Sequence, residues 1–550
     1  MKKTFSPFTI FIGLIGFASI FFLPNFGMDP FAIPKMVILS FVAFCFVPYA
    51  VKRFSQESAN NKYLYRASLI AMLLMILWAA VSFFSSDIPK TQQFYGVWGR
   101  NTGFLTFFCL LLVLIQSFLF ITNRNIEILL RWLFYSSTLS AVYGLIQFLG
   151  LEPIDYKDGY SPLIGFFGNP NFQSSFLGLG ALSSIWFAIS AVKGKYGKVL
   201  PISISFLELF LIYRSGSIQG IFVFIISIST VVAFIGIEKL KQPLRIAGVT
   251  IFTAFGLLGV FGVLGIGLIS RFFDGYSLEF RRVYWRIGMR MIQENKIFGI
   301  GFDGYGDYFR RFRTLEDNQL LSGTVTNAAH NVFIDFGVSA GLPFLLVYLG
   351  LVLSAICLML KKQLIQSTSL EFKVLSGLFL AFHCEMLIGI NQIGLAIWGF
   401  VFLGSILGLL IRSNLSEVSI KGKHPVIQKR SSVTIISVFA LLILAIVVAI
   451  PPLQADYNFR KSLFAGDGQR VFSAGIARPI DMNRLISAGD LMRGNRLIDE
   501  SKVIADTAIR FNPDSIYTWL YLLSLPSIST QERENAVKNA RRLDPLWEPK

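Results

Sequence analysis

Apolar residues in this chain come in long unbroken blocks, without the alternating or three-to-four spacing of half-exposed elements. Such runs lie near 8–24, 36–51, 68–84, 103–121, 128–149, 172–192, 200–213, 219–237, 246–269, 332–360, 374–391, 395–411 and 433–450. A helix needs about 20 apolar residues to cross a bilayer core, so the pattern predicts thirteen spans, with 200–213 the shortest. The first run ends Phe21-Phe22-Leu23-Pro24, with no small-residue cleavage site, and another run follows at once. It therefore reads as a span and not as a removed leader. The expected fold class is all-α, a polytopic transmembrane helix bundle of about 12–13 spans.

Two longer polar stretches divide the chain. Residues 1–269 are read as spans 1–9, 270–331 as a large extracytoplasmic loop, 332–450 as spans 10–13, and 451–550 as a tail that begins at Pro451-Pro452. Ala474…Pro479, Ala508…Pro513 and Ala540…Pro545 repeat along the tail, each with Ala five residues before Pro. This spacing resembles two or three degenerate tetratricopeptide units, in which each Pro ends one helix before the next begins. A docking or scaffold role toward a protein partner is the expectation for the tail.

Composition supports the membrane reading. Charged residues make up only 15% and mean hydropathy is +0.61, whereas soluble domains carry about 25% charge. A disordered chain and a cytosolic enzyme are both excluded. The net charge of +18 comes almost entirely from the connections on one side. With a cytoplasmic N-terminus, the inside segments Lys2/Lys3, 52–67, 122–131, 193–199, 238–245, 361–373 and 412–432 hold 22 Lys+Arg against 5 Asp+Glu. The short outer loops balance Lys35, Lys90, Arg100, Lys157 and Arg214 against five acids. Basic residues retained inside set orientation, which puts loop 270–331 and the tail on the outer side. The basic pI is thus a topology signal, and no nucleic-acid partner is expected. Cys45, Cys109, Cys357 and Cys384 all fall in predicted spans, leaving no disulfide framework or Cys-rich metal site.

Polar residues at membrane depth or in ordered loops are costly, so they are the ones to examine for chemistry. Loop 85–102 leads through Phe94-Tyr95-Gly96-Val97-Trp98-Gly99-Arg100-Asn101-Thr102 into Gly103, and loop 150–171 ends Gly168-Asn169-Pro170-Asn171. A tight turn reads Tyr213-Arg214-Ser215-Gly216-Ser217. The large loop carries Arg281-Arg282-Val283-Tyr284-Trp285, then Phe298-Gly299-Ile300-Gly301, and closes with Ala329-His330-Asn331. Taken in order over about 85–411, these pieces, with Trp398-Gly399…Gly404 in a late span, resemble the O-antigen ligase and polymerase superfamily of bacterial envelope glycosyltransferases.

The resemblance implies an enzyme of the bacterial cytoplasmic (inner) membrane that needs no cofactor. Its donor would be an undecaprenyl-diphosphate-linked glycan, transferred at the outer face to a hydroxyl of a lipid A core, another glycan or a protein. These acceptors correspond to ligase, polymerase and protein oligosaccharyltransferase. The residue chemistry agrees. A diphosphate leaving group calls for planar, fork-shaped cations, which points to Arg214 and Arg281 or Arg282; the four-residue spacing to Trp285 favours Arg281. His330 is the one outer-side histidine, and it reads as the base or as a group that positions the acceptor or the diphosphate. Arg100, Asn169, Asn171, Trp285, Arg282 and Asn331 are the accompanying substrate-binding candidates.

Competing readings are plain. Arg214 also fits a snorkelling interface anchor, Arg281/Arg282 ordinary surface charge, and His330 a helix cap. His383 and Glu385, two apart within a span, lie on different helix faces and read as structural. His424 falls in a cytoplasmic loop. Gly299…Gly304 matches the dinucleotide fingerprint without its strand–turn–helix context. Asp303, Asp307, Glu316 and Asp317 lack a His at metal-ligand spacing, so no metal is expected. The rival classes are a transporter, for which three acids, Glu208, Asp335 and Glu385, fall within spans but no two-half symmetry is evident, and a non-catalytic envelope scaffold.

Overall fold

The computed structural model describes residues 6–57, 63–152, 154, 163–192, 194, 196–267, 270–271, 275–413 and 432–549. Most of the 412–432 connection, with His424, and the tip of loop 150–171, with Asp155, Lys157 and Asp158, lie outside the described residues.

The chain opens with α1 (Pro7–Ile20), α2 (Ala32–Cys45), α3 (Val47–Glu57), α4 (Tyr63–Ser85), the short α5 (Lys90–Tyr95), α6 (Phe104–Phe120) and α7 (Ile126–Phe148). There follow α8 (Pro170–Trp186), α9 (Val199–Arg214), α10 (Ile218–Glu238) and α11 (Gln242–Val263). The large loop folds as α12 (Tyr276–Glu294), α13 (Tyr305–Phe312) and α14 (Leu315–Leu320). Then come α15 (Val332–Ile365), α16 (Leu370–Glu385), α17 (Ile393–Ser413) and α18 (Ser432–Ala465). The tail adds α19 (Gly468–Gly475), α20 (Met482–Gly494), α21 (Ile498–Phe511), α22 (Ile516–Leu523) and α23 (Thr530–Leu543).

The fold is all-helical, as expected: a helix stands at each of the thirteen apolar runs, and no strand occurs among the described residues. Nine of the described helices are long and apolar enough to cross a membrane by length and composition. Burial follows sequence. Helix α17 is apolar all round and lies in the centre against α6, α15, α16 and α1, whereas α11 and α18 stay mostly uncovered at the periphery; an all-round apolar helix belongs in a core or in lipid. Polar caps start the helices where the chain turns. Ser6, Asn169, Ser217, Asn331 and Ser369 each accept a backbone N–H of the first turn, supplying partners that a helix start otherwise lacks.

Two details depart from the sequence reading. Lys35 lies inside α2, not in a short loop, and is fully buried. Its ammonium donates to the Phe166 carbonyl at 2.6 Å and pins the turn before Gly168-Asn169. The Pro451-Pro452 pair does not start the tail, because α18 runs through both prolines to Ala465. Successive tail helices α18 to α23 then pack as neighbours around their own core, which includes Ala474, Ala508 and Ala540.

Candidate active site

Helix α12 is amphipathic, and its apolar side, with Val283, Tyr284 and Trp285, packs beside the start of α15 in one buried cluster. The end of α16 is held there too, because Val332 N–H donates to the Met386 carbonyl at 2.9 Å. This junction sets Arg281 within electrostatic reach of Glu385. Burial lowers the Arg281 pKa from its usual value, opposed by Glu385 and Tyr284.

The turn before α15 presents His330. Trp285 Nε1 donates to the His330 carbonyl at 3.4 Å. Asp335 accepts Ala329 N–H at 2.8 Å, and Asn331 accepts Phe333 and Ile334 N–H at 3.1 and 3.2 Å. The imidazole leans on Tyr284, with ring centroids 5.6 Å apart. Burial first, then the charges of Arg281 and Arg100, push the His330 pKa from 6.5 down to about 3. The ring is therefore neutral at physiological pH, with a nitrogen lone pair free of its proton.

Arg100 comes from the 96–103 turn, which Asp303 holds in place. Asp303 accepts Val97 N–H at 2.9 Å and the Thr102 hydroxyl at 2.8 Å. Arg100 itself donates to the carbonyl and side-chain oxygens of Asn327 at 2.8 and 3.0 Å. Asn101, Asp303 and His330 all have left-handed φ of 52–54°. Such strain in non-glycine residues is uncommon and gathers at functional sites. Arg100 Nε and Asp335 Oδ2 are buried here with no hydrogen-bond partner, although buried polar atoms normally have one.

The sequence candidates thus fall into two groups. Arg100, Arg281, Trp285, His330 and Asn331 come together, with Trp285 and Asn331 serving to fix the turn. Arg214, Asn169 and Asn171 sit at the corner where α8, α9 and α10 meet. Arg214 lies over the Phe148 ring, 5.0 Å from its centroid. Asn169 caps α8 by accepting Asn171 N–H at 2.9 Å, and Ser174 Oγ joins the Asn171 carbonyl to Ser217 Oγ. Arg282 points away from His330 and donates to the Gly262 carbonyl at the end of α11, at 3.3 Å. Between the adjacent arginines, Arg281 is the one that faces the histidine.

His383 is structural as expected, bonded through Nδ1 to the Phe379 carbonyl at 2.8 Å and through Nε2 to Tyr348 at 3.3 Å. Its neighbour Glu385 is different, since it faces Arg281. Sequence reasoning missed Glu385, Asp335 and Asp303 as members of this cluster. Their signal was an acid near the end of an apolar run, or one turn after the histidine, and neither names a partner. Two other carboxylates of the large loop have structural work: Asp317 pairs with Arg286 and Arg290, and Asp307 takes Gln92 and Asn512. Among the described residues, no group of three or more His, Cys, Asp or Glu is placed to hold a metal ion.

An apolar cleft of about 500 Å³ runs between α10 and α11, from Ile237 and Gly248 to Phe222, Val263 and Leu387. Its last three residues belong to the cluster that seats Trp285, so the cleft ends beside Arg281 and Glu385.

Residues 203–349 match the family model described as O-antigen ligase. The segment runs from α9 into α15 and includes Arg214, Arg281, Arg282, Trp285, His330 and Asn331. The likeness is to that domain and covers this segment of the chain, within a helical bundle in which nine described helices are long and apolar enough to cross a membrane. No curated protein matches the chain.

Proposed function

Since the chain carries an O-antigen ligase domain, we propose that it moves a glycan from undecaprenyl diphosphate to an acceptor hydroxyl at the outer face of the bacterial cytoplasmic membrane. The observation that carries this reading is a buried histidine within electrostatic reach of Arg281 and Arg100, in the junction where an apolar cleft between α10 and α11 ends.

The polyprenyl chain occupies the cleft between α10 and α11, whose apolar walls suit it. The diphosphate then lies at the cleft mouth, where Arg281 engages its oxygens; Arg214, at the end of α9 in the turn that leads into α10, is the second candidate cation. The acceptor oxygen bonds to the anomeric carbon while the bond from that carbon to the diphosphate oxygen breaks. The bonding pair leaves with the diphosphate, and the acceptor proton passes to His330. Arginines aimed at the leaving oxygens stabilise charge that develops on departure.

His330 is a weak base while the arginines are uncovered. The donor changes that, because diphosphate charge offsets Arg281 and favours the protonated ring. Binding of donor thus raises the basicity of His330 at the moment it is needed. Glu385, within electrostatic reach, offsets the Arg281 charge when no diphosphate is present.

The test is label release from radiolabelled undecaprenyl-diphosphate glycan in proteoliposomes, with wild type beside Arg281→Ala and His330→Ala. Release by wild type and loss in both variants is expected. Retention of the label on its carrier with wild type, or equal release by the variants, would sink the reading.

A further inference from the structure

The tail is not an appendage hanging beside the bundle. Arg310 and Arg313 of the large loop both reach Asp544, at 3.1 and 2.7 Å, and Arg311 reaches Asp514 at 2.8 Å. Asn512 donates to Gln92 and Asp307, each at 3.2 Å, and Trp98 N–H donates to Asp481 at 3.1 Å. These bonds clamp the tail onto the 85–103 and 299–327 segments, yet a cavity of about 380 Å³ stays open between the two surfaces. That is within the size range of small-ligand pockets.

The lining is chemically specific. Asp303, Asp307 and Asn327 come from the bundle side, and Asp481, Asn483 and Tyr517 from the tail. The single lining cation, Arg310, is already paired with Asp544. Three carboxylates with no free cation repel an anion, so the cavity is unsuited to a diphosphate. Carboxylate and amide oxygens accept hydrogen bonds from hydroxyl groups, and the rings of Tyr517 and Phe511, which also line the space, offer flat apolar faces. Hydroxyl edges with a flat C–H face describe a neutral sugar ring.

Position adds a direction. Asn327 lines this cavity and also takes Arg100, and Arg100 is one of the two cations acting on His330. The other is Arg281, beside the apolar cleft. The order is therefore cleft, Arg281, His330, Arg100, Asn327, cavity, with Arg281 and Arg100 acting on His330 through their charge and Arg100 bonded to Asn327. A nucleophile that displaces diphosphate directly must approach opposite the leaving group, and a subsite joined to His330 through Arg100, with the leaving group at Arg281, suits that requirement.

We infer that the tail-lined cavity is the acceptor subsite and holds a neutral sugar of the acceptor, with Asn483 and Tyr517 as specificity residues contributed by the tail. The inference rests on the transfer reading for its orientation, whereas occupancy by saccharide is measurable without transfer. The purified full chain in detergent would be examined by saturation-transfer NMR with neutral hexose and N-acetylhexosamine disaccharides, beside inorganic diphosphate and a hexuronate disaccharide. Neutral disaccharide signal is expected with wild type and with Arg281→Ala, and its loss with Asn483→Trp, which fills the space. Tyr517→Ala should weaken binding on the order of fivefold, about one modest contact, and serves if the tryptophan variant does not fold. In the transfer assay both tail variants should raise acceptor KM while donor KM stays unchanged. The inference is overturned if no neutral disaccharide binds, if binding survives both tail variants, or if diphosphate competes for the cavity. Failure of the transfer reading looks different: Arg281→Ala and His330→Ala leave label release intact while saccharide binding persists.

Discussion

His330 carries opposite burdens in the free and donor-bound protein. Its folded pKa of about 3 lies below the ordinary 6.5, so the unfolded chain binds the proton more readily between those values. Stability from this group is therefore fully present above about 6.5 and is lost as pH falls toward 3. For activity, donor kcat/KM reports free-protein ionisations and should show no His330 inflection between pH 5 and 8. Acceptor kcat/KM at saturating donor should inflect well above pH 3, because diphosphate offsets Arg281. Paired pH–rate profiles check this, and a donor-profile inflection abolished by His330→Gln would contradict it. The adjacent arginines separate at the same scale. Arg281→Ala should cost about 10²–10³ in kcat, the range for losing one charge-stabilising donor. Arg282→Ala, which removes a bond to the Gly262 carbonyl at the end of α11, should cost much less in kcat and appear in thermal stability instead. The spacing Arg281-to-Trp285 was legible because i and i+4 share a helix face. Glu385 was not, because its partner lies 104 residues away in the chain and no local periodicity encodes that pairing.

Elements explain why two glycine-rich motifs belong together. Helix α15 is broken at Gly341, whose φ of 77° is non-helical, with Pro343 just beyond. The carbonyls freed by the break are taken by the Phe298-Gly299-Ile300-Gly301 stretch and its neighbours. Ile300 and Gly301 N–H donate to Val338 and Ser339 at 2.8 and 3.1 Å, and Leu342 N–H donates to Lys296 at 2.8 Å. Trp78 and Ser82 of α4 bond the Ala340 and Ser339 carbonyls from the other side. A Cβ at Gly341 would overlap the Ile297 carbonyl, and one at Gly299 would overlap that of Val338. Gly341→Ala should therefore cost at least the 1–3 kcal/mol of local backbone strain, roughly, and shift His330 through the start of α15. A lowered thermal midpoint together with reduced kcat is expected, and unchanged values for both would contradict this packing. Both motifs were visible in the chain, and the structure gives the first a backbone-pairing role with the second. That each is the other's hydrogen-bond partner was hidden, since backbone pairing leaves no side-chain signature beyond glycine.

At the level of the whole molecule, apolar runs alone sufficed for the helical bundle, because lipid and core both demand unbroken apolar helices. Tail docking could not be read the same way. The segment 270–331 has nine basic and seven acidic residues, and the tail 14 and 12, so neither shows a net charge that would advertise the other. The attraction is local: Asp544, almost wholly buried, sits between Arg310 and Arg313, and Arg311 and Arg542 share Asp514. Removing one member of a buried pair leaves an uncompensated charge and costs about 3–5 kcal/mol. Asp544→Ala should thus release the tail, since both arginines lose their carboxylate at once. Expected readouts are faster proteolysis between α18 and α23 and a rise in acceptor KM as the cavity loses its outer wall. Donor KM should hold, because the cleft between α10 and α11 does not touch the tail. Arg311→Ala, which leaves Asp514 paired with the exposed Arg542, should give the same pattern with a smaller amplitude. A tail that stays protected in Asp544→Ala would show that the apolar packing of α18 against the bundle, and not the ion pairs, holds the two parts together.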